Sequence, residues 1–225
     1  MRLKAIAFDL DGTLYPASSA VWSTIPLVIQ HPIFMYQFSR TRDLVRKQQD
    51  PGDLHLKQLR ILACLLNKTE SQVKDKLTRI IYKEWIASFK KIKPFPDIRE
   101  VIINLRKKGY KTALLSDMPI KEKISFLRLE GIWDVAFCSE ETGFLKPHPA
   151  PFKRLLTELN LKPEEILFIG NSYKYDVRGA KACGLKTALL ARQRYFKDDV
   201  LPDYQFSNYR QLRNFLLALE KVSGS

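Results

Sequence analysis

The sequence predicts an α/β protein, a doubly wound parallel sheet interrupted by an inserted block of helices. Three observations carry that expectation. From residue 94 onward, short apolar runs of strand character alternate with helical patterns, the signature of strand–helix–strand units. A further run of the same kind, Ala5-Ile6-Ala7-Phe8, stands alone near the start of the chain. Between the two, residues 16–93 carry helical periodicity and no strand signal. The expected organisation is therefore a core built from 1–15 and 94–225, with 16–93 an α-helical cap inserted into it.

The elements follow in order. Ala5 to Phe8 is too short and too tightly bounded for a helix and reads as a buried strand. Tyr15-Pro16 ends the segment behind it. Ser18 to Gln30 has a helical spread of apolar residues interrupted by Pro26, and His31-Pro32 opens a second helix running to Arg46, since proline suits a first helical turn. Asp50-Pro51-Gly52 is a turn, and Asp53 caps a leucine-rich helix. Thr69 and Gln72 form a capping box for a helix carrying Val73, Leu77, Ile80, Ile81, Trp85 and Phe89. Trp22, Trp85 and the leucines are expected in the core of this block, with Trp22 or Tyr36 a candidate to line a pocket.

Past Pro94, a helix from Asp97 ends in Lys107-Lys108-Gly109, cations and a glycine being suited to a helix C-terminus. Strands are expected at Thr112–Leu115, 134–138, Glu165–Ile169 and Lys186–Leu190, with a short last one at Tyr204–Phe206. The intervening helices run over Lys121–Glu130, from Pro149 through Leu159, and, after Gly170-Asn171-Ser172, on to Gly184, with a closing helix at Arg210–Leu219.

Composition narrows the function classes. Hydrophobic content of 45% and charged content of 28% suit a globular domain. No apolar run approaches a membrane span and no apolar signal segment follows the basic start, so a cytoplasmic protein without membrane attachment is expected, as a monomer or homodimer. Cys64, Cys138 and Cys183 form no Cys-x-x-Cys pair and read as buried thiols. His31, His55 and His148 have no acid at ligand spacing. The formal charge is +14 without a basic ribbon or finger spacing, which favours small anionic ligands over specific nucleic-acid binding. Residues 16–93 hold 14 basic and 6 acidic residues against 24 and 18 elsewhere, so the helical block is the more basic part.

The chemistry starts at Asp9 and Asp11. Two carboxylates at the end of a buried strand are opposed by desolvation and by each other, and a cation or a shared proton is the usual remedy. In an open parallel sheet, ligands bind at the carboxyl ends of the strands. Polar groups stand at four such ends: Asp9 and Asp11, Ser116, the loop with Lys146, and Asn171 with Asp176.

These stretches resemble the four motifs of the haloacid dehalogenase superfamily of hydrolases: Asp9-Leu10-Asp11-Gly12-Thr13, Ser116 after its strand, Lys146 in GFLKPHPAPF, and GNSYKYDVRGA over Gly170–Ala180. The likeness covers the whole chain, and DLDGTLYP resembles the branch with phosphoglycolate and small-nucleotide phosphatases. It implies a Rossmann-like core, a helical cap, and Mg2+-dependent hydrolysis of a small phosphomonoester. It also implies roles: Asp9 the nucleophile, Asp11 the general acid and base, Ser116 and Lys146 phosphoryl ligands, with backbone N–H groups around Leu10 and Asp117 as further donors. Asp9, Asp11, Asn171 and Asp176 are the implied metal set. The superfamily's dehalogenases generally lack an acid at the Asp11 position, so its presence favours phosphoryl chemistry. One position departs from the pattern: phosphatases usually carry aspartate where Asn171 stands, and a neutral amide predicts weaker Mg2+ binding. That departure keeps open a phosphate-binding or regulatory protein with weak turnover, and a phosphotransferase such as a mutase on the same scaffold.

Overall fold

A computed structural model describes residues 3–50, 52–192 and 200–222. Its sheet has six strands, all parallel: β1 (Ala5–Phe8), β2 (Lys111–Ser116), β3 (Val135–Cys138), β4 (Ile166–Gly170), β5 (Lys186–Leu190) and β6 (Tyr204–Phe206). The order across the sheet is β3-β2-β1-β4-β5-β6. The chain winds outward from β1 in one direction, then returns to β1's other edge with β4. That reversal puts the carboxyl ends of β1, β2 and β4 around one crevice, where ligands bind in such sheets.

Alternation along β1 sorts its side chains between two layers. Ile6 and Phe8 join Leu114, Leu167 and Ile169 under helices α5 (Ile98–Lys107) and α9 (Tyr209–Ala218). Ala5 and Ala7 face the other way, with Ala113, Phe137 and Phe168, under α7 (Pro149–Leu159) and α8 (Arg178–Ala182). Small residues let that second layer approach closely. A Cβ on Gly179 would lie 2.4 Å from Phe152, so α7 and α8 pack as they do only with glycine there.

Between β1 and α5 in sequence, every described element is helical: α1 (Ala17–Gln30), α2 (Pro32–Lys47), α3 (Leu54–Leu65) and α4 (Glu70–Leu77). The last continues as a wide π-turn segment, Thr78–Trp85, and short turns to Lys91. The sequence cues for these helices have direct counterparts. Asp53 accepts from Leu56 N–H, and Thr69 and Gln72 make a reciprocal capping box. Phe34, Phe38, Leu62, Val73, Leu77, Ile80 and Ile81 form their own apolar cluster, which Met118 enters from the loop after β2.

Some expectations are corrected. α1 runs through Pro26 as one helix, and both Pro26 and Trp22, whose carbonyl the proline leaves without its helical donor, are exposed to solvent. Trp22, expected in the core, lies 73% exposed, and Tyr36, the other pocket candidate, lies 62% exposed. Cys64 is exposed and Cys183 half-buried; only Cys138 is a buried thiol. Helix α6 (Lys121–Phe126) stops short of Glu130 because Arg128 adopts φ +55°, which returns Leu129 N–H to Ile124 O (2.8 Å) and delivers fully buried Leu127 and Leu129 to the core. The segment after Asn171 opens as a π-turn, Tyr173–Val177, before α8. No helix among the described residues is long and apolar enough to cross a membrane.

Candidate active site

Asp9 extends β1 by one residue, its N–H donating to Ile169 O on β4 (2.8 Å). The chain then turns tightly: Thr13 and Leu14 N–H groups both reach Leu10 O (3.3 and 3.1 Å), and Gly12 takes φ +83°. Glycine is required there twice over. The backbone is left-handed, and a Cβ would sit 2.2 Å from the Asn171 amide nitrogen. The motif's glycine thus seats Asn171 directly against the turn that carries Asp9 and Asp11.

Lys146 is the centre of the buried charges. Its ammonium donates to Asp9 Oδ1 (2.7 Å), Asp176 Oδ1 (2.6 Å) and, more weakly, Leu115 O (3.4 Å). Three acceptors match its three hydrogens. Thr13 Oγ1 donates to the other Asp9 oxygen (3.0 Å), and Ser172 N–H to the other oxygen of Asp176 (3.0 Å). Burial lifts the Asp9 carboxyl to about 7; Lys146 opposes this, and Asp176 and Asp11 add to it. Burial works to lower Lys146, yet Asp176, Asp9 and Asp117 hold it above its ordinary value.

Asp11 faces a different set of groups. Lys123 Nζ holds both its oxygens (2.5 and 2.7 Å), Tyr15 Oη donates to Oδ1 (2.6 Å), and Ser116 Oγ lies 3.4 Å from Oδ2. Lys123 is fully buried, with its ammonium over the Phe89 and Trp85 rings at 4.6 and 5.1 Å. Burial, then the Asp11 charge, raises the Tyr15 phenol well above its ordinary value, so it stays a donor.

Asp117, next after β2, ties the site to α2. Its Oδ1 accepts from Ser139 Oγ (2.7 Å) and Lys146 N–H (3.1 Å), and its Oδ2 from Arg46 (2.9 Å). Arg42, one turn earlier, donates to Asp117 O (2.6 Å) and pairs with buried Glu140. Burial works to raise Asp117, but Lys146, Arg46 and Arg42 bring it below the usual carboxylate range.

A cavity of about 130 Å³ opens on this cluster, lined by Asp9, Asp11, Asp117, Lys146, Asn171, Ser172, Tyr175 and Asp176. Of the residues expected from sequence, Leu10 and Ser116 are wholly buried and do not line it, although Ser116 touches Asp11. Trp22 and Tyr36 do not line it either. Asn171 does not cap the following helical segment; Ser172 does, accepting from Tyr175 N–H (3.2 Å). Sequence reasoning missed Lys123, Tyr15, Arg42 and Arg46. Nothing marks Lys123 or Arg42 among 38 basic residues, because each is selected by a partner about a hundred residues away. Thr13 lay inside the recognised motif and could have been named.

The donor chemistry bears on metal binding. The lining offers only oxygen ligands and ammonium or amide nitrogen, which suits a hard divalent cation and not zinc. Asp11 and Asp117 have cations of their own in Lys123 and Arg46, whereas Asp9 and Asp176 share the single ammonium of Lys146. When both are ionised the pair carries one negative charge beyond what Lys146 offsets; a proton on Asp9, raised to about 7, or a bound cation would answer it. Among the described residues no three His, Cys, Asp or Glu side chains converge as a metal cluster. Asn171 lines the same cavity as Asp9 and Asp176 and brings a neutral amide to it.

Comparison with known proteins gives the family and the fold. The family model described as haloacid dehalogenase-like hydrolase matches residues 3–184. The chain is 28% identical to a glyceraldehyde 3-phosphate phosphatase of Methanopyrus kandleri, over 97% of this chain and 99% of the relative. It is 29% identical to a protein of the same name from Pyrococcus furiosus, over 100% and 96%. The crystal structure of a HAD phosphatase from Thermococcus onnurineus shares the fold, with a TM-score of 0.65 at 22% identity, over 98% of this chain and 100% of that one.

Proposed function

The chain belongs to the haloacid dehalogenase-like hydrolases, and within that family we propose that it is a Mg2+-dependent phosphatase of a small phosphomonoester. The observation that carries this reading is the pairing of Asp9, held by Lys146 and Thr13, with a second acid, Asp11, two residues on. The relatives named as glyceraldehyde 3-phosphate phosphatases support the same class of substrate.

In the proposed reaction an Asp9 oxygen attacks phosphorus in line as the ester P–O bond breaks, giving an aspartyl-phosphate. Asp11 gives its proton to the leaving oxygen, then takes one from the water that cleaves the phosphorus–Asp9 bond and releases phosphate. Lys146 supplies fixed positive charge beside Asp9 and the phosphoryl oxygens, and the backbone N–H of Asp117 is a further donor in this reading, while Ser116, whose hydroxyl reaches Asp11, would position that acid. Asp9, Asp11, Asn171 and Asp176 are the residues that would hold Mg2+, whose charge offsets the repulsion between carboxylate and phosphate dianion. Arg42 and Arg46 tie α2 to the loops bearing Asp117 and Lys146, which supports residues 16–93 acting as a cap over the strand ends. Three free cysteines are compatible with the cytoplasm, the compartment we propose.

Purified protein with Mg2+ should release phosphate from p-nitrophenyl phosphate, and Asp9→Asn should abolish that release. Turnover that persists in the folded variant would remove Asp9 from its role. Asn171 favours a second reading, a phosphate-binding protein of weak turnover. In that case Asn171→Asp raises Mg2+ affinity and activity together; a wild type already fast at sub-millimolar Mg2+ would dismiss it.

A further inference from the structure

A cavity of about 750 Å³, far larger than the one over Asp9, lies where residues 90–100 run back into the sheet domain beside residues 126–128. Its wall combines two chemistries. Half-buried Pro94, Phe95 and Phe126 contribute apolar surface, and Lys90, Lys91, Lys93, Arg99 and Arg128 supply five cations. Among the described residues, no carboxylate lies within ion-pairing distance of Lys90, Lys91, Lys93 or Arg128; Lys90 has only the Phe126 ring, at 5.7 Å. Of the two acids in the wall, Asp97 is already engaged by Arg213 (3.3 Å), leaving Glu100. The Arg99 guanidinium is fixed in place by the carbonyls of Arg128 and Glu130 (2.9 and 3.1 Å).

Like charges gathered from separate segments repel one another, and a multiply charged anion would relieve that repulsion. An apolar floor beside them suits a ligand with a flat apolar body, since aromatic faces favour stacking and cation–π contacts. We propose that this groove is a binding site for a nucleoside polyphosphate, its phosphates on Lys90, Lys91, Lys93 and Arg128 and its base against Phe126 and the Pro94-Phe95 edge. The groove and the cavity over the carboxylate cluster have no lining residue in common, but they are joined through neighbouring residues. Lys90 follows Phe89, whose ring carries the Lys123 ammonium, and Phe126 lies on the same helix as Lys123.

The test is calorimetric titration of the full chain with ATP, tripolyphosphate and adenosine, in EDTA so that no metal recruits ATP to the carboxylates. Saturable ATP binding is expected, with tripolyphosphate and adenosine each weaker by about ten-fold or more. The exposed double variant Lys91→Glu/Lys93→Glu, checked for folding by its melting temperature, should weaken ATP by a similar factor. ATP binding unchanged in that variant would overturn the location. Tripolyphosphate binding as tightly as ATP would overturn the nucleoside, and no saturable binding of ATP would overturn the site.

Discussion

Asp9 and Asp11 are two residues apart and answer to different cations, Lys146 for one and Lys123 for the other. Burial separates them further. Asp9 sits in a nearly closed cluster and is raised to about 7 from an ordinary value of 3.8. A carboxyl raised in the folded state stabilises the fold below its unfolded value, and that contribution is lost as pH rises through the folded one. Metal-stripped protein should therefore melt at a lower temperature at pH 8 than at pH 6, and Mg2+ should raise the melting temperature more at pH 8. A metal-stripped melting temperature that climbs between those values would contradict the account. Lys123 offers a second prediction. Lys123→Met removes a fully buried ammonium from Asp11, whose side chain is 32% exposed and so keeps some hydration. A loss of about 2 kcal/mol in urea unfolding is expected, less than for a fully buried pair, with turnover reduced about ten-fold or more through the misplaced acid. Lys123→Arg should not restore turnover, because Lys123 is fully buried and the larger, planar guanidinium cannot take the place of a compact ammonium between Asp11 and the aromatic rings.

Among the elements of the helical block, α2 carries charged contacts to the loops at the strand ends. Arg42 and Arg46, one turn apart, reach Glu140, Asp117 and Lys146 O on loops that follow different strands. Arg42→Met would leave Glu140, only 5% exposed, without its cation, and should cost about 3–5 kcal/mol in urea unfolding. Adding Glu140→Gln to that variant should recover a large part of the loss; a double variant as unstable as the single one would point to packing instead of charge. The ends of the helices were legible in the sequence because they are local: Pro32 at a first turn, Asp53 as a cap, Thr69 with Gln72. The stop at Phe126 was not, since it follows from burying Leu127 and Leu129 on both sides of a left-handed Arg128. Arg42 with Glu140, 98 residues apart, and Lys123 with Asp11, 112 apart, could not be read from spacing at all.

Across the whole molecule, the parallel sheet followed from strands alternating with helices, and the crevice followed from the strand order around β1. Asp9, Asp11, Asp117 and Asn171 then met at one cavity because each stands at or just beyond a strand end, and the segments that follow β3 and β4 bring Lys146 and Asp176 to it. What sequence could not supply was the burial that decides partnerships: Ser116 lies beneath the cavity, and Trp22 and Tyr36 face solvent. The central claim is that Asp9 is the nucleophile. Acid-quenching the protein during turnover of p-nitrophenyl phosphate with Mg2+, followed by peptide mass mapping, tests it most directly. A phosphoryl group on the peptide containing Asp9, absent from Asp9→Asn, is the predicted result; a phosphoryl group on another residue, or full turnover by Asp9→Asn, would contradict it.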